Sequence, residues 1–560
     1  MEKDHLDTDD LSDGEMHNKE KTCWNCPAAK FRGNVDFRSC GQSKEEMRKV
    51  VEENPDYDVV IECKRRPELG HFEPTISFEQ CTEWSKSEYG YMLDDMRVMI
   101  LGIDGYLGWT LGLKLANMGF NVSGIDNFTR REAVMEKGSH TVVPIERMTE
   151  RLHAAKEVLG VDINFRQIDL NNREKLGEFM DEVEPEAIVH YGELPSAPYS
   201  MVDAEHALKV QDNNTLGTLG ILFLMKDIVP EASLVKLGTM GEYGSPLTGR
   251  PLFEGMFPAD ATLNWDDREW SLGGELTPRN PPSFYHVGKV QDTYNIYEAC
   301  KYWWLRSYDI MQGVIYGVHT EEVASDPRLR TRFDIDEWFG TVLNRFTAQA
   351  ALGMPLTVYG EGGQIRGFIG LDDAMQCMTR LILSPPEPGQ YDVVNQISAV
   401  YRIRDLAETV AQVANNEFNL DVKIQRLENP RVEADRHPFE AVSRKLQGEF
   451  DFEPQVKLEE EIYRMLEVLT QDRVQKRIDE KKHVIMPRTR WNGEKEKAKV
   501  LEEYKPGSKD YKLNLKQRLD SIDSTGAEMS SIASEKDEEE EEKKSEEEKV
   551  EEQLEGLGYL

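Results

Sequence analysis

The sequence has no apolar stretch approaching the roughly 20 residues of a membrane-spanning helix, so it predicts no membrane insertion. Its acidic start lacks an apolar core, so neither a secretory signal nor a plastid-type transit peptide is expected, and a cytoplasmic location follows. Cysteine is scarce, with seven in 560 residues. In a reducing compartment these residues are expected to be thiols or metal ligands rather than disulfides.

Positive charge is also in short supply. The chain has 68 Lys and Arg residues against 104 Asp and Glu residues, a formal net charge of −36. Such an acidic chain is a poor candidate for binding the phosphate backbone of DNA or RNA, so no nucleic-acid partner is expected. The length allows two or three domains and a large buried core.

The two ends differ in composition from the middle of the chain. Residues 1–20 are predicted to be disordered, and residues 21–92 to form a small cysteine-containing module. Cys23 and Cys26 form a Cys-x-x-Cys pair that could hold a structural zinc ion, but a second such pair is missing, so ordinary thiols remain the alternative. Residues 493–560 form a charged tail, either a solvated helix or a disordered segment.

A glycine-rich turn follows an apolar run in the middle of the chain. Residues 97–101 are too few for a helix and predict a buried parallel strand. Gly102, Gly105 and Gly108 come next. The first permits a tight turn, the second lets a pyrophosphate approach the backbone, and the third lets a helix pack closely on the strand.

The residues after this turn complete a dinucleotide-binding pattern. A predicted helix over residues 107–118 would direct its N–H groups at phosphates. A second strand over residues 121–125 ends in Asp126, where a carboxylate can hold ribose hydroxyls and would repel a 2′-phosphate. The pattern therefore predicts NAD as cofactor, and a chance glycine-rich turn in an unrelated α/β protein is the alternative.

Strands alternate with helices through the rest of this region. The rhythm predicts an α/β fold, a Rossmann-type doubly wound parallel sheet over residues 96–311 with returning segments later in the chain. Residues 312–492 are expected to form mainly a smaller mixed α/β substrate-binding lobe. Residues 245–282, rich in proline and glycine, are expected to be a loop over the site.

A Tyr-x-x-x-Lys spacing follows this loop. On a helix, Tyr285 and Lys289 would share a face, and a lysine ammonium stabilises a tyrosinate that can remove a proton from an alcohol. Thr239, at the end of an earlier strand, could hold the same alcohol oxygen. The spacing alone is common, but after a nucleotide fingerprint it favours an oxidoreductase-type site.

This arrangement resembles the extended short-chain dehydrogenase/reductase family, whose members mostly act on nucleotide sugars. Six segments are similar to those of the UDP-sulfoquinovose synthases: residues 196–201, 238–244, 283–286, 312–318, 356–364 and 429–434. The resemblance implies that UDP-glucose and sulfite become UDP-sulfoquinovose through a 4-keto-glucose-5-ene, with NAD reduced and reoxidised in each turnover. It also implies a homodimer or higher homo-oligomer.

The dinucleotide-binding pattern and the family resemblance together indicate the binding residues. The expected cofactor contacts are Gly102, Gly105, Tyr106, Leu107, Gly108, Asp126, Asn127, Arg130, Asp169, Leu170, Tyr191, Gly192, Asn213, Tyr285, Lys289, Gln312 and Val314. The expected substrate contacts are Thr239, Gln312, Thr357, Val358, Tyr359, Gln364, Arg366, Arg431 and Glu433. Among these, Arg431 suits the UDP pyrophosphate because a guanidinium pairs with phosphate oxygens. Arg366 could instead form a surface ion pair.

The resemblance also locates the proton chemistry. Sugar 4,6-dehydratases have Asp and Glu directly after the threonine, whereas this chain has Met240 and Gly241. Glu242 and His286 are therefore the nearest titratable candidates for moving the C5 and C6 protons. For His286, a helix-face histidine with a satisfied ring is an equal alternative.

One segment departs from the family pattern. Where the family usually has Gly-Glu-Gln-Arg, this chain has Gly192-Glu193-Leu194-Pro195, which changes how the hexose or sulfite would be held. A UDP-sugar 4-epimerase, or another nucleotide-sugar modifying enzyme, is the alternative function. A silent nucleotide-binding scaffold is a third, against which Thr239, Tyr285 and Lys289 argue.

Overall fold

The computed structural model describes residues 96–244, 250–429, 441–485 and 499–506, together with the backbone of three earlier strands. These three, Ala29–Gly33, Val59–Cys63 and His71–Phe72, form an antiparallel sheet. Cys23, Cys26, the predicted disordered start and most of the charged tail lie outside the described residues. The chain divides into two units, residues 1–503 and residues 504–560.

The central sheet has seven strands, and every neighbouring pair in it is parallel. In spatial order its strands are Tyr391–Gln396, Arg306–Gln312, Ser233–Leu237, Ala187–His190, Arg97–Leu101, Asn121–Ile125 and Ile163–Arg166. The first three strands of this unit extend the sheet in one direction, and the fourth starts again on the other side of Arg97–Leu101. The predicted doubly wound parallel sheet is confirmed.

Each face of this sheet is covered by helices because alternate side chains of its buried strands point to opposite faces. Val98 and Ile100 pack into one apolar layer that includes Leu113 of the following helix. Met99 and Leu101 pack into the other layer. The α-helices of the described residues are Tyr106–Asn117, Thr129–Glu136, Met148–Ala154, Arg173–Val183, Ala197–Ser200, Ala204–Gln211, Gly217–Ile228, Phe284–Trp303, Glu321–Ala324, Val342–Ala351, Leu371–Leu383, Ile403–Glu417, Lys445–Phe450, Leu458–Leu469 and Asp472–Ile485.

Two small sheets belong to the later part of the chain. One contains Val314–Tyr316, Ile365–Gly370 and Ala399–Arg402, and the other contains Leu356–Tyr359, Ile424–Leu427 and Val500–Tyr504. Between them in sequence, Tyr391–Gln396 returns to the edge of the central sheet. The predicted division near residue 312 remains a prediction.

The segment expected to be a loop contains a hairpin instead. Thr262–Trp265 pairs in antiparallel register with Arg268–Ser271. Asp266 and Asp267 form the turn with φ of 50° and 55°, the left-handed values that a two-residue hairpin turn requires. The first of the two short strands alternates polar and apolar residues, which is a signal for a strand. No helix among the described residues is long and apolar enough to cross a bilayer.

Candidate active site

A cavity of about 700 Å³ opens at the carboxyl ends of the central strands. It lies where the strand order reverses, between Arg97–Leu101 and Ala187–His190. In open α/β sheets this switch point is where ligands bind, because the loops leave the two strands in opposite directions. The residues after each strand therefore form the cavity wall.

The glycine turn forms one end of the cavity. Gly102 has φ of +86°, and a Cβ atom there would lie 2.7 Å from the backbone of Gly192. A Cβ atom on Gly108 would lie 2.2 Å from the carbonyl oxygen of Gly102. The helix Tyr106–Asn117 can therefore start against the strand only if both positions lack a side chain, and this close packing fits the pyrophosphate of a dinucleotide.

We expect Gly108→Ala to reduce the amount of dinucleotide that copurifies with the protein and to lower the free energy of unfolding by about 1–3 kcal/mol, because the new methyl group meets backbone rather than a flexible side chain. Chromatography of the denatured protein would measure the dinucleotide. Gly112→Ala on the same helix is the control, since its Cβ would meet the flexible Ile103 side chain at 3.3 Å. Equal dinucleotide content in the two variants would contradict this prediction.

Asp126 stands beside this turn with both carboxylate oxygens fixed. The backbone N–H of Asp104 donates to Oδ2 at 2.9 Å, and that of Phe128 donates to Oδ1 at 2.7 Å. Burial raises the pKa of Asp126 to about 6, and the nearby Asp104 carboxylate also raises it. The carboxylate is thus still largely ionised at neutral pH and can accept hydrogen bonds from ribose hydroxyls.

Residues further along the chain close the same end. Arg130 donates to Asp334 at 2.8 Å, and its guanidinium lies 4.0 Å from the centre of the Phe339 ring. Asn127 donates to Asp169 at 2.7 Å. The segment 332–341 contributes several lining residues that sequence reasoning missed, since nothing local in that segment signals a nucleotide site.

The helix Phe284–Trp303, here called the tyrosine helix, supplies the opposite wall. Its cap is Ser283, whose hydroxyl accepts the backbone N–H of His286 at 3.3 Å. The backbone N–H of Tyr285 donates to the hydroxyl of Ser200 at 3.0 Å. Tyr285 and Lys289 both line the cavity, as their spacing on one helix predicts.

The surroundings of this pair differ from the sequence expectation. The Lys289 ammonium contacts the Glu193 carboxylate and donates to the carbonyl oxygen of Leu237. Burial raises the pKa of Tyr285 above its ordinary value, and the Glu193 carboxylate raises it further. The described residues therefore favour the neutral phenol, whereas the sequence predicted a phenolate stabilised by Lys289.

Thr239 lies at the end of the strand Ser233–Leu237 and begins a single helical turn, Met240–Glu242. Its hydroxyl accepts the N–H of Gly241 at 3.1 Å, while Glu242 Oε1 accepts the N–H of Thr239 at 3.4 Å. This reciprocal pair is a capping box, which fixes the Thr239 side chain at the cavity wall.

Glu242 itself does not line the cavity. It is fully buried behind the turn, where the Thr293 hydroxyl lies 2.9 Å from Glu242 Oε2 and 2.6 Å from Asp309 Oδ2. Burial raises the pKa of Glu242 to about 7, and Asp309 raises it as well. Glu242 therefore accepts the Thr239 N–H from behind the turn and does not face the cavity in which the sequence expectation placed its proton transfer.

His286 lies over the turn at Gly241. A Cβ atom on Gly241 would lie 2.2 Å from His286 Nε2, so the ring occupies the space that a side chain at this position would need. The Ser283 hydroxyl lies 2.8 Å from His286 Nδ1. The hydroxyl oxygen has two lone pairs, so besides the His286 N–H it can accept Nδ1–H, and the neutral ring then carries its lone pair on Nε2.

The cavity collects most of the predicted binding residues. All the expected cofactor contacts line it except Asp169, which instead accepts a hydrogen bond from Asn127. Of the expected substrate contacts, Thr239, Gln312 and Arg366 line it. Arg431 and Glu433 lie outside the described residues.

The remaining expected substrate contacts lie away from this cavity. Thr357 and Val358 are fully buried, and the hydroxyl of Thr357 accepts from Gln349 at 2.9 Å. The hydroxyl of Tyr359 accepts from Arg345 at 2.9 Å. Gln364 is buried and donates to the carbonyl oxygen of Tyr359 at 3.3 Å. The strand Leu356–Tyr359 belongs to a separate small sheet, and none of these four side chains lines the cavity.

Within residues 96–244, 250–429, 441–485 and 499–506, no group of three or more His, Cys, Asp or Glu side chains could hold a metal ion. Cys300 and Cys377 are buried free thiols. The predicted zinc pair is not among these residues.

Comparison with known proteins agrees with this geometry. Residues 98–262 match the NAD dependent epimerase/dehydratase family. The chain is 41% identical over 396 residues to UDP-sulfoquinovose synthase of Sulfolobus acidocaldarius, covering 71% of this chain and 98% of the relative. It is 40% identical to the chloroplastic UDP-sulfoquinovose synthase of Spinacia oleracea, covering 70% and 79%. In fold it is similar to UDP-glucose 4-epimerase from Bifidobacterium longum, with a TM-score of 0.50, 16% identity and coverage of 67% and 99%.

Proposed function

This chain belongs to the UDP-sulfoquinovose synthases of the NAD-dependent epimerase/dehydratase family, and from that premise we propose that it joins UDP-glucose and sulfite to form UDP-sulfoquinovose. The observation that carries the proposal is that Thr239, Tyr285 and His286 face the same cavity as the glycine turn and Asp126. One cavity thus offers a dinucleotide cradle and a set of groups able to move protons on a sugar.

The glycine turn and Asp126 fit NAD, since the turn leaves room only for backbone and the carboxylate is fixed for ribose hydroxyls. NAD bound there would supply the oxidant for C4 of the sugar and later the reductant, so the complete reaction would be redox-neutral. Lys289 and Tyr191 line the same cavity and are proposed to hold the nicotinamide half of the cofactor.

Thr239 and Tyr285 handle the O4 proton. The Thr239 hydroxyl accepts the Gly241 N–H, so its own proton is available to donate to the sugar oxygen. As a phenolate, Tyr285 takes the O4 proton while C4 becomes a ketone, and as the resulting phenol it gives that proton back to O4 when C4 is reduced again. Tyr285 therefore acts in both directions of one proton transfer.

The ketone makes elimination possible because it acidifies the proton on C5. A base takes that proton from C5 and delivers it to the C6 oxygen, the C6 hydroxyl leaves as water, and a C5–C6 double bond forms. The sulfur lone pair of sulfite then forms a bond to C6 while C5 regains a proton. UDP-glucose and hydrogen sulfite thus give UDP-sulfoquinovose and water.

His286 is the group placed for this proton work. With its lone pair on Nε2, the neutral ring can take the C5 proton and pass it to the leaving C6 oxygen, and the same nitrogen can return a proton to C5 when sulfite adds. The ring stands where the dehydratases would place a side chain after the threonine, and Gly241 leaves the space for it.

We expect His286→Leu to slow formation of the sulfonated product by about 10²-fold, because general acid–base catalysis typically contributes that much. Oxidation at C4 should survive, since Thr239, Tyr285 and Lys289 are unchanged. Reduced-nicotinamide absorbance should therefore accumulate with UDP-glucose while product, followed by mass spectrometry, does not.

The control is His153→Leu, at an exposed histidine outside the cavity. It should behave like the parent protein. Unchanged product formation in His286→Leu would contradict the proton-transfer role. His286 would then have only a structural role at the start of the helix.

The proposed function is tested by incubating the purified protein with UDP-glucose, NAD and sulfite. A sulfonated UDP-hexose in the mass spectrum, absent when sulfite is omitted, is the expected result. Formation of UDP-galactose with or without sulfite would instead establish the 4-epimerase alternative. Absence of any new nucleotide sugar would overturn both.

A further inference from the structure

Four buried charged side chains form a chain that leads inward from the cavity. The Lys289 ammonium contacts the Glu193 carboxylate, whose Oε1 lies 3.8 Å from Lys236 Nζ. Lys236 Nζ in turn lies 3.1 Å from Asp292 Oδ2. None of these side chains is more than 4% exposed. The signs alternate, so the chain is balanced in charge.

This cluster joins the three elements that meet behind Tyr285. Glu193 follows the strand Ala187–His190, Lys236 lies in the neighbouring strand, and Lys289 and Asp292 lie on the tyrosine helix. Only Glu193 and Lys289 also line the cavity. Lys289 Nζ lies 5.8 Å from the centre of the Tyr285 ring, so any charge that remains on it acts on the phenol at close range.

We propose that Glu193 is a positioning residue that holds the Lys289 ammonium at the cavity wall and cancels its charge beside Tyr285. The inference rests on the proposed function in one respect, that Tyr285 exchanges a proton with a sugar hydroxyl. The reaction needs Tyr285 to take that proton as a phenolate and to return it as a phenol. An uncompensated Lys289 would stabilise the phenolate and so weaken it as the base that takes the proton, whereas the Glu193–Lys289 pair keeps Tyr285 basic enough for this step.

The other groups that face Tyr285 are consistent with this account. From its own helix come His286, Lys289 and Asp292, and from the neighbouring elements come the three groups Glu193, Lys236 and Glu242. The short helix Ala197–Ser200 contributes only the neutral Ser200 hydroxyl. Apart from burial, Glu193 is the largest influence on the pKa of Tyr285, and it raises it.

The neighbouring histidine adds no charge that could substitute for Glu193. His190 Nε2 lies 3.8 Å from the Glu193 carboxylate. Burial lowers the pKa of His190 to about 4, so the ring is neutral at neutral pH. Lys289 and Lys236 are therefore the cations that Glu193 faces, and they hold its pKa well below the value that burial alone would give.

The test is Glu193→Gln, which removes the charge and keeps the shape. Tyrosinate absorbance of the purified protein is followed against pH, with its dinucleotide content measured in parallel. The Tyr285 step is isolated by subtracting the titration curve of the same protein carrying Tyr285→Phe. We expect this step to move about 1–3 pH units lower, the effect of one close charge. The acidic limb of the pH profile of kcat/KM should move in the same direction.

Glu322→Gln is the matched control, because Glu322 is also a buried glutamate but accepts from neutral Thr320 and Asn117. Its Tyr285 step should match the parent protein. Glu193→Asp retains the charge and should return the step toward the parent value, which a purely structural role for the glutamate side chain does not predict.

Should Glu193→Gln fail to fold, Glu193→Gln combined with Lys236→Met removes one charge of each sign. The pH of its Tyr285 step should then lie below that of the parent protein. It should lie above the pH expected for a protein in which Lys289 has lost its charge partner Glu193. A step that coincides with the parent in either variant would overturn the proposal. Because this titration uses no sugar, it separates failure of the inference from failure of the proposed substrate chemistry.

Discussion

Tyr285→Phe is expected to lower the rate of product formation by about 10²–10⁴-fold, the usual contribution of a general acid–base residue. The phenylalanine ring fills the same space but cannot exchange a proton with O4. The loss should fall on kcat, since the glycine turn, Asp126 and the rest of the cavity are unchanged. Reduced-nicotinamide absorbance after adding UDP-glucose would measure oxidation at C4. Mass spectrometry would measure product formation.

Tyr294→Phe is the matched control for this variant. Tyr294 lies on the same helix but is 48% exposed, so losing its hydroxyl should change neither measurement. A Tyr285→Phe protein that turns over at the parental rate would remove Tyr285 from the mechanism. The assignment of Thr239 and Lys289 would then also fail, because both are placed around the same O4 proton.

The nucleotide half of the fold could be predicted from sequence because its signals are local. A short apolar run, three glycines and a second apolar run ending in Asp126 fix the strands at Arg97–Leu101 and Asn121–Ile125, as predicted. The helix after the turn is Tyr106–Asn117, one residue from its predicted bounds. Each of these features depends on neighbours in sequence, so no tertiary information was needed.

Contacts between distant segments could not be predicted in the same way. The Glu193–Lys289 contact joins a strand end to a helix nearly a hundred residues later. Nothing in the sequence of either segment predicts that the two are in contact. Its consequence is a Tyr285 environment that differs from the expectation based on Lys289 alone. The wall formed by residues 332–341 was missed for the same reason.

The sequence position of Glu242 carries a structural signal, which differs from the proton-transfer role expected from the sequence. Its position three residues after Thr239 is the spacing of a capping box, which directs the carboxylate back to the start of the turn. Closeness to Thr239 in sequence suggested proton transfer instead. The same difficulty affects Thr357 and Val358, where a segment similar to a family motif forms a buried strand away from the cavity.

A buried charge cluster behind the glycine turn leads to the second large prediction. The Asp104 carboxylate accepts two hydrogen bonds from Arg131 at 2.6 Å each and one from Arg151 at 2.8 Å. Arg151 is fully buried, with its guanidinium 4.0 Å from the centre of the Trp109 ring. Burial lowers the pKa of Arg151 to about 9, and the Asp104 carboxylate opposes that shift.

Asp104→Asn should therefore lower the free energy of unfolding by about 3–5 kcal/mol, because it leaves a buried guanidinium without its carboxylate partner. Dinucleotide affinity should fall with it, since the Asp104 N–H fixes one oxygen of Asp126. Chemical denaturation followed by fluorescence would measure the first effect, and dinucleotide titration the second. Asp162→Asn is the control: its pair with Lys156 is similarly short, at 2.8 Å, but lies in solvent, so its loss should cost no more than about 1 kcal/mol. Equal costs for the two substitutions would mean that Asp104 does not hold the turn together, and the rigid placement of Asp126 would need another cause.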